Sequence, residues 1–96
     1  MNYLQIVAKL KKLEPSLRRQ YQVKSLGLFG SYVRGEQKSR SDLDLLVEFR
    51  ETPSLFQFIR LENKLSEISG VKVDLVMKNS LKKTIGQHIL KEVVAI

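Results

Sequence analysis

Residues 28–49 read LFGSYVRGEQKSRSDLDLLVEF, and this stretch decides the fold. Val23 to Phe29 is a short apolar run that stops at Gly30-Ser31. The chain then crosses a basic loop and returns as Ser41-Asp42-Leu43-Asp44-Leu45. Two apolar runs of strand length, bounded by glycine and turn residues, predict two strands. Between them the sequence predicts one short helix over Ser31 to Gly35 and a polar loop over Glu36 to Ser41. The second strand, Leu43 to Phe49, is as apolar as a buried strand, yet two carboxylates two residues apart stand at its start.

Upstream, Tyr3, Ile6, Val7, Leu10 and Leu13 repeat at helical spacing, with Lys9, Lys11 and Lys12 mostly outside that stripe as a solvated face. Glu14-Pro15-Ser16 is expected to stop this helix, because the residue before proline is pushed out of helical geometry. Leu17 to Tyr21 would then form a further short turn. Downstream, Ser54 is the expected N-cap of a helix whose apolar stripe is Leu55, Phe58, Ile59, Glu62, Leu65 and Ile68, with only Glu62 out of character. Gly70 closes it. Val71, Val73, Leu75 and Met77 alternate with Lys72, Asp74 and Val76, a strand with one face in the core. Asn79-Ser80 is expected to cap a last helix carrying Leu81, Ile85, Ile89 and Val93. The expected architecture is a small α/β domain over 1–96, a mixed sheet of about three strands with helices packed on it.

Side chains alternate across a strand, so Asp42 and Asp44 project from one face. Their Cα atoms lie ~6.6 Å apart at strand rise, close enough to share one ion or bridge a pair. Turn chemistry alone accounts for Ser41 and Asp42. It does not account for Asp44, flanked by Leu43 and Leu45, where an uncompensated charge costs several kcal/mol. Asp74 interrupts a strand in the same way and faces away from Val73, Leu75 and Met77. If the two strands are neighbours, Asp74 lies beside the pair. Glu48 shares the parity of the aspartates but sits near the strand end, where a salt bridge suits it.

Gly30-Ser31 after a strand is a way to build an anion site. Glycine admits close backbone approach, a following helix start offers free N–H groups, and the hydroxyl adds a donor. Arg34 could neutralise phosphate or pair with an aspartate, and the sequence leaves both open. His88, among Ile85 and Ile89, reads as a packing or surface residue.

Composition bounds the chemistry. A chain of 96 residues, 43% hydrophobic and 28% charged, fits one folded domain. No apolar run approaches the ~20 residues of a membrane span, and the amphipathic start at Met1-Asn2-Tyr3 has no signal-peptide core, so a cytoplasmic location is expected. With no cysteine, thiolate metal sites are excluded, and one histidine argues against an imidazole-built zinc site; any metal is expected on carboxylates, which suit magnesium or manganese. The net charge of +7 favours an anionic partner, whether nucleotide, nucleic acid or acidic protein.

Together Gly30-Ser31-Tyr32-Val33-Arg34-Gly35, Ser41-Asp42-Leu43-Asp44-Leu45 and Val73-Asp74-Leu75 resemble the motifs of the polymerase-β-type nucleotidyltransferase superfamily. The arginine-glycine pair and short chain resemble its minimal nucleotidyltransferases (MNT), antitoxins encoded beside HEPN-domain toxins. Position 33 holds valine where alanine is usual. The resemblance covers nearly the whole chain and implies that Asp42 and Asp44 hold two magnesium ions, with manganese as the alternative. It implies that Asp74 completes the ion site and helps deprotonate the attacking hydroxyl, and that Gly30 and Ser31, with Arg34 beside them, bind the phosphates of ATP. The implied reaction is transfer of AMP to a tyrosine of a HEPN RNase toxin from an adjacent gene. Neutralisation by contact alone is a competing expectation. RNA is the weaker candidate acceptor, since basic residues are not interleaved with aromatics. Base preference and oligomeric state are left open.

Overall fold

The computed structural model describes residues 3–38 and 40–96, with residues 83–85 described by backbone alone. Met1, Asn2 and the side chain of Ile85, which figured in the expected pattern, lie outside the described residues. The elements are α1 (Tyr3–Tyr21), β1 (Val23–Phe29), α2 (Ser31–Arg34), β2 (Leu43–Phe49), α3 (Leu55–Ser69) and β3 (Val73–Met77). A 3-10 turn over Lys78–Ser80, α4 (Lys83–Glu92) and β4 (Val94–Ala95) complete the chain.

Among the described residues the sheet has four strands in the order β3-β2-β1-β4, where the sequence indicated about three. β1 runs antiparallel to β2 and β4, while β2 and β3 are parallel. A parallel pair needs a crossover, and α3 supplies it. Leu28, Leu43, Leu45, Val47, Val73 and Leu75 form the sheet side of the core, against Ile6, Leu10 and Leu17 of α1 and Leu61 and Leu65 of α3.

α1 does not stop at Pro15 but runs through it as one helix. A proline inside a helix removes one hydrogen bond and crowds the carbonyl four residues earlier, at ~3 kcal/mol. Leu17 lies two turns beyond Leu10 on the same face and is 2% exposed. Burying such a side chain returns ~1.5–3 kcal/mol, so packing offsets the backbone defect. At the end of α1, Arg50 Nη2 donates to the Arg18 carbonyl (2.9 Å), and the Arg50 amide donates to the Gln22 carbonyl (2.8 Å).

α3 opens on Ser54 with a full capping box to Gln57, and Gly70 ends it in the left-handed region, both as expected. Its stripe differs from the expected one. Leu61, Leu65 and Ser69 are buried with Phe58 and Ile68 partly so, whereas Leu55, Phe56 and Ile59 are exposed. Glu62 turns out to be structural: its Oε2 accepts the Leu75 amide at 2.9 Å, and Ser66 Oγ accepts the Val73 amide at 3.0 Å. β3 is an edge strand, and these two side chains satisfy its outer N–H groups. β3 begins at Val73 rather than Val71.

Two expectations near the C-terminus are corrected. Lys82, not Asn79-Ser80, precedes α4, because those residues close the 3-10 turn. Val93 ends α4 instead of belonging to its stripe, since the chain straightens there to pair Val94 with Leu28 and Ala95 with Gly27. The Ile96 amide donates to the Leu26 carbonyl (2.9 Å), so the tail is held along its length. No helix among the described residues is long and apolar enough to cross a membrane.

Candidate active site

The parallel pairing of β2 and β3 puts Leu43 opposite Val73, Asp44 opposite Asp74 and Leu45 opposite Leu75. The leucines and Val73 are buried, so the alternation of each strand turns both aspartates to the other face. Adjacent strands lie ~4.8 Å apart, which brings the backbones of Asp44 and Asp74 within that spacing. Asp42 comes immediately before β2, at the mouth of the loop, and the Leu43 amide donating to the Lys72 carbonyl (2.8 Å) locks the two strand starts in register.

On the other side of β2, Asp44 pairs with Phe29, the last residue of β1. The next residue, Gly30, has φ +83° and ψ −156°, a region essentially confined to glycine. A Cβ at Gly30 would collide with Asp44 Oδ2 and stand 2.9 Å from its Cγ. The Asp44 carboxylate therefore occupies the space that only a glycine leaves free. From there α2 winds off, with Val33 and Arg34 amides donating to the Gly30 carbonyl at 3.1 and 3.2 Å. Asp42, Asp44, Asp74, Gly30 and Ser31 thus share one corner of the sheet.

Electrostatics record the crowding. Burial first, then the charges of Asp74 and Asp42, push the Asp44 carboxyl up from 3.8 to about 6, against an opposing pull from Arg34. Asp44 and Asp42 are half-buried, and Asp74 is exposed. Among the described residues, no group of three His, Asp or Glu side chains is gathered tightly enough to hold an ion as it stands. Like charges repel, so the backbone brings the three carboxylates to one place while their side chains stay apart. The donor set nonetheless fits a hard divalent cation such as magnesium or manganese: oxygen ligands on adjacent backbone positions, with the partly desolvated Asp44 among negative charges whose repulsion a cation would relieve.

Arg34 lies beside the same corner. Its Nε donates to Glu36 Oε2 (3.0 Å) and its Nη1 to Glu92 Oε1 (2.7 Å). Hydrogen bonds to Glu36 and then to Glu92 raise its already high pKa. The partners are these glutamates, and not the aspartate that was one of the two alternatives the sequence left open. Glu92 is the site-edge residue sequence reasoning missed; 58 positions separate it from Arg34, and a glutamate in KEVVAI carries no signal of its own. Glu48 accepts from Ser25 Oγ (3.2 Å) and lies 3.9 and 3.8 Å from Lys24 and Lys78, the salt-bridge role expected of it. His88 is exposed.

The chain is similar to known proteins over most of its length. The family described as Nucleotidyltransferase domain matches residues 10–96. A protein of Thermococcus cleftensis named protein adenylyltransferase MntA is 55% identical over 78 residues, covering 81% of this chain and 79% of that one. A solved structure, named provisionally as a minimal nucleotidyltransferase, superposes with TM-score 0.85 at 32% identity, covering 100% of this chain and 97% of that one. A chain in a crystal structure of a toxin–antitoxin with AMP-PNP has TM-score 0.70 at 26% identity, over 99% of this chain and 72% of that one.

Proposed function

This chain belongs to the nucleotidyltransferase domain family, and we propose that it is a magnesium-dependent antitoxin acting as a single domain. In this reading it transfers AMP from ATP to a tyrosine hydroxyl of a HEPN RNase toxin encoded by an adjacent gene. The similarity to an MntA protein adenylyltransferase supports the activity, and the similarity to a toxin–antitoxin chain crystallised with AMP-PNP supports both nucleotide and partner. The observation that carries the reading is the register of Asp44 with Asp74 beside Asp42, against a Gly30 whose missing Cβ makes room for a carboxylate.

Each residue then has a task. Asp42 and Asp44 hold the cations with Asp74 completing the set; manganese has the same ligand preferences. Bound magnesium supplies Lewis-acid stabilisation of the attacking and leaving oxygens of an in-line displacement. Gly30 and Ser31 offer backbone and hydroxyl donors to the terminal phosphates, and Arg34 adds positive charge beside them. The acceptor hydroxyl gives up its proton toward Asp74, a new oxygen–phosphorus bond forms at the α-phosphorus, and the α–β bridging bond breaks to release pyrophosphate. Because Asp44 is partly desolvated, it gains more from a cation than an exposed carboxylate would. ATP as donor fits a cytoplasmic location.

The test is labelled ATP with magnesium and the adjacent gene product. The partner acquires label with the native chain and none with Asp42→Asn or Asp44→Asn. Label that persists in both variants overturns the reading. A second reading is neutralisation by contact alone. It predicts that both variants protect cells as well as the native chain. Transfer to RNA rests only on the net charge of +7 and predicts label on RNA instead.

A further inference from the structure

We propose that Glu92 is a positioning residue: from the far end of the chain it fixes the Arg34 guanidinium beside the aspartate corner, leaving one edge of the guanidinium for the substrate's phosphates. The inference deepens the nucleotidyl-transfer reading and rests on it for the identity of the substrate.

Two carboxylates hold Arg34 from different parts of the chain. Glu36 takes Nε and Glu92 takes Nη1, while Nη2 has no partner among the described residues. The two anchors differ in quality. Glu36 is 64% exposed and two residues away on a loop, so solvent competes for it. The Glu92 side chain is only 20% exposed and makes the shorter contact, 2.7 Å. Glu92 is also anchored by backbone. It is the last residue of α4, and the next residues leave directly into β4, which pairs with β1 at Leu28 and Gly27, just before Phe29 and Gly30. Strand pairing at one end thus sets Glu92 over the corner where β1 terminates.

A guanidinium is a planar fork whose donors are fixed relative to one another. Holding Nε and Nη1 removes its freedom to rotate, so the remaining edge keeps a set direction. Arg34 and Glu92 both lie within electrostatic reach of Asp44, with opposite effects on it. A guanidinium held there presents its remaining Nη2 donors to a polyphosphate whose reactive end meets the aspartates. Paired off by two glutamates, it is also kept from collapsing onto the aspartates as a rival to the cation. A residue that merely pins the C-terminal tail would act through stability and not through Arg34.

The experiment is a double-mutant cycle in the full chain with its partner: Glu92→Ala, Arg34→Ala and the pair, with Glu92→Gln keeping the shape. Expected is a roughly tenfold rise in KM for ATP in Glu92→Ala with little change in kcat, partial recovery in Glu92→Gln, and no further loss when Glu92→Ala is added to Arg34→Ala. An equal loss from Glu92→Ala in both backgrounds overturns the proposal, as does an unchanged KM. A readout independent of transfer is the resonance of the Arg34 Nη1–H that Glu92 accepts, followed by NMR. It is protected and narrow in the native chain and collapses toward the exposed-arginine position in Glu92→Ala, whereas an unmoved signal refutes positioning. If the native chain transfers no AMP while that resonance still responds to Glu92→Ala, the function reading fails and the positioning geometry stands.

Discussion

Asp44→Asn should make this protein more stable and less active at the same time. The Asp44 carboxyl titrates at about 6 in the folded chain against 3.8 ordinarily, because burial and the neighbouring Asp74 and Asp42 charges disfavour its ionised form. Below 3.8 the group is neutral in folded and unfolded chains alike and costs nothing. Between 3.8 and about 6 the folded chain holds more of the proton, so stability falls as pH rises. Above about 6 the full penalty is in place. At ~1.4 kcal/mol per tenfold change this would reach ~3 kcal/mol for a sealed carboxyl. Asp44 is only partly covered, and solvent screening reduces the cost to about 1–2 kcal/mol. Asparagine has the same shape and never ionises. Urea denaturation in EDTA should therefore show Asp44→Asn about 1–2 kcal/mol more stable than the native chain at pH 7.5, with the gain gone by pH 3.5. Adding magnesium should stabilise the native chain and leave the variant unmoved, while AMP transfer is lost. An Asp44→Asn chain equal to or weaker than the native one at pH 7.5, or a gain that persists at pH 3.5, would refute the account of a strained, cation-seeking carboxylate.

Gly30→Ala forces a side chain into a backbone region reserved for glycine and into Asp44, at about 2–3 kcal/mol and with loss of transfer. Gly35→Ala is its control: φ is +71° but nothing lies within 4 Å, so thermal melts should show only about 1 kcal/mol and intact transfer. Pro15→Ala should stabilise by about 1–2 kcal/mol in chemical denaturation, since α1 already runs straight through that position and regains a hydrogen bond. Glu62→Ala should uncover the Leu75 amide, costing about 1–2 kcal/mol, and hydrogen exchange at Leu75 should accelerate more than at Leu45 on the central strand.

Much was legible without coordinates because it is local. Strand alternation put Asp44 and Asp74 on the faces opposite their leucine and valine neighbours, and Ser54 and Gly70 marked the ends of α3 by capping chemistry alone. Pro15 misled because a local rule met a tertiary force: the burial of Leu17 outweighs a broken hydrogen bond. Glu62 looked out of place in an apolar stripe for the same reason. Periodicity counts residues, but an edge strand in need of an acceptor is visible only when β3 is seen against α3.

By itself the sequence determined which residues are candidates for chemistry here, since the spacing of Asp42 and Asp44, the lone Asp74 and the Gly30-Ser31 corner follow from the alternation of strands and the geometry of turns. Only the tertiary structure decided that β2 and β3 lie side by side in a register that sets Asp44 against Asp74, that Gly30 is the residue the Asp44 carboxylate leans on, and that Arg34 answers to Glu92 and not to an aspartate. Partners 30 or 58 residues apart are chosen by the pairing of strands across the whole sheet. That choice depends on burying every strand's apolar face at once, which no local pattern contains.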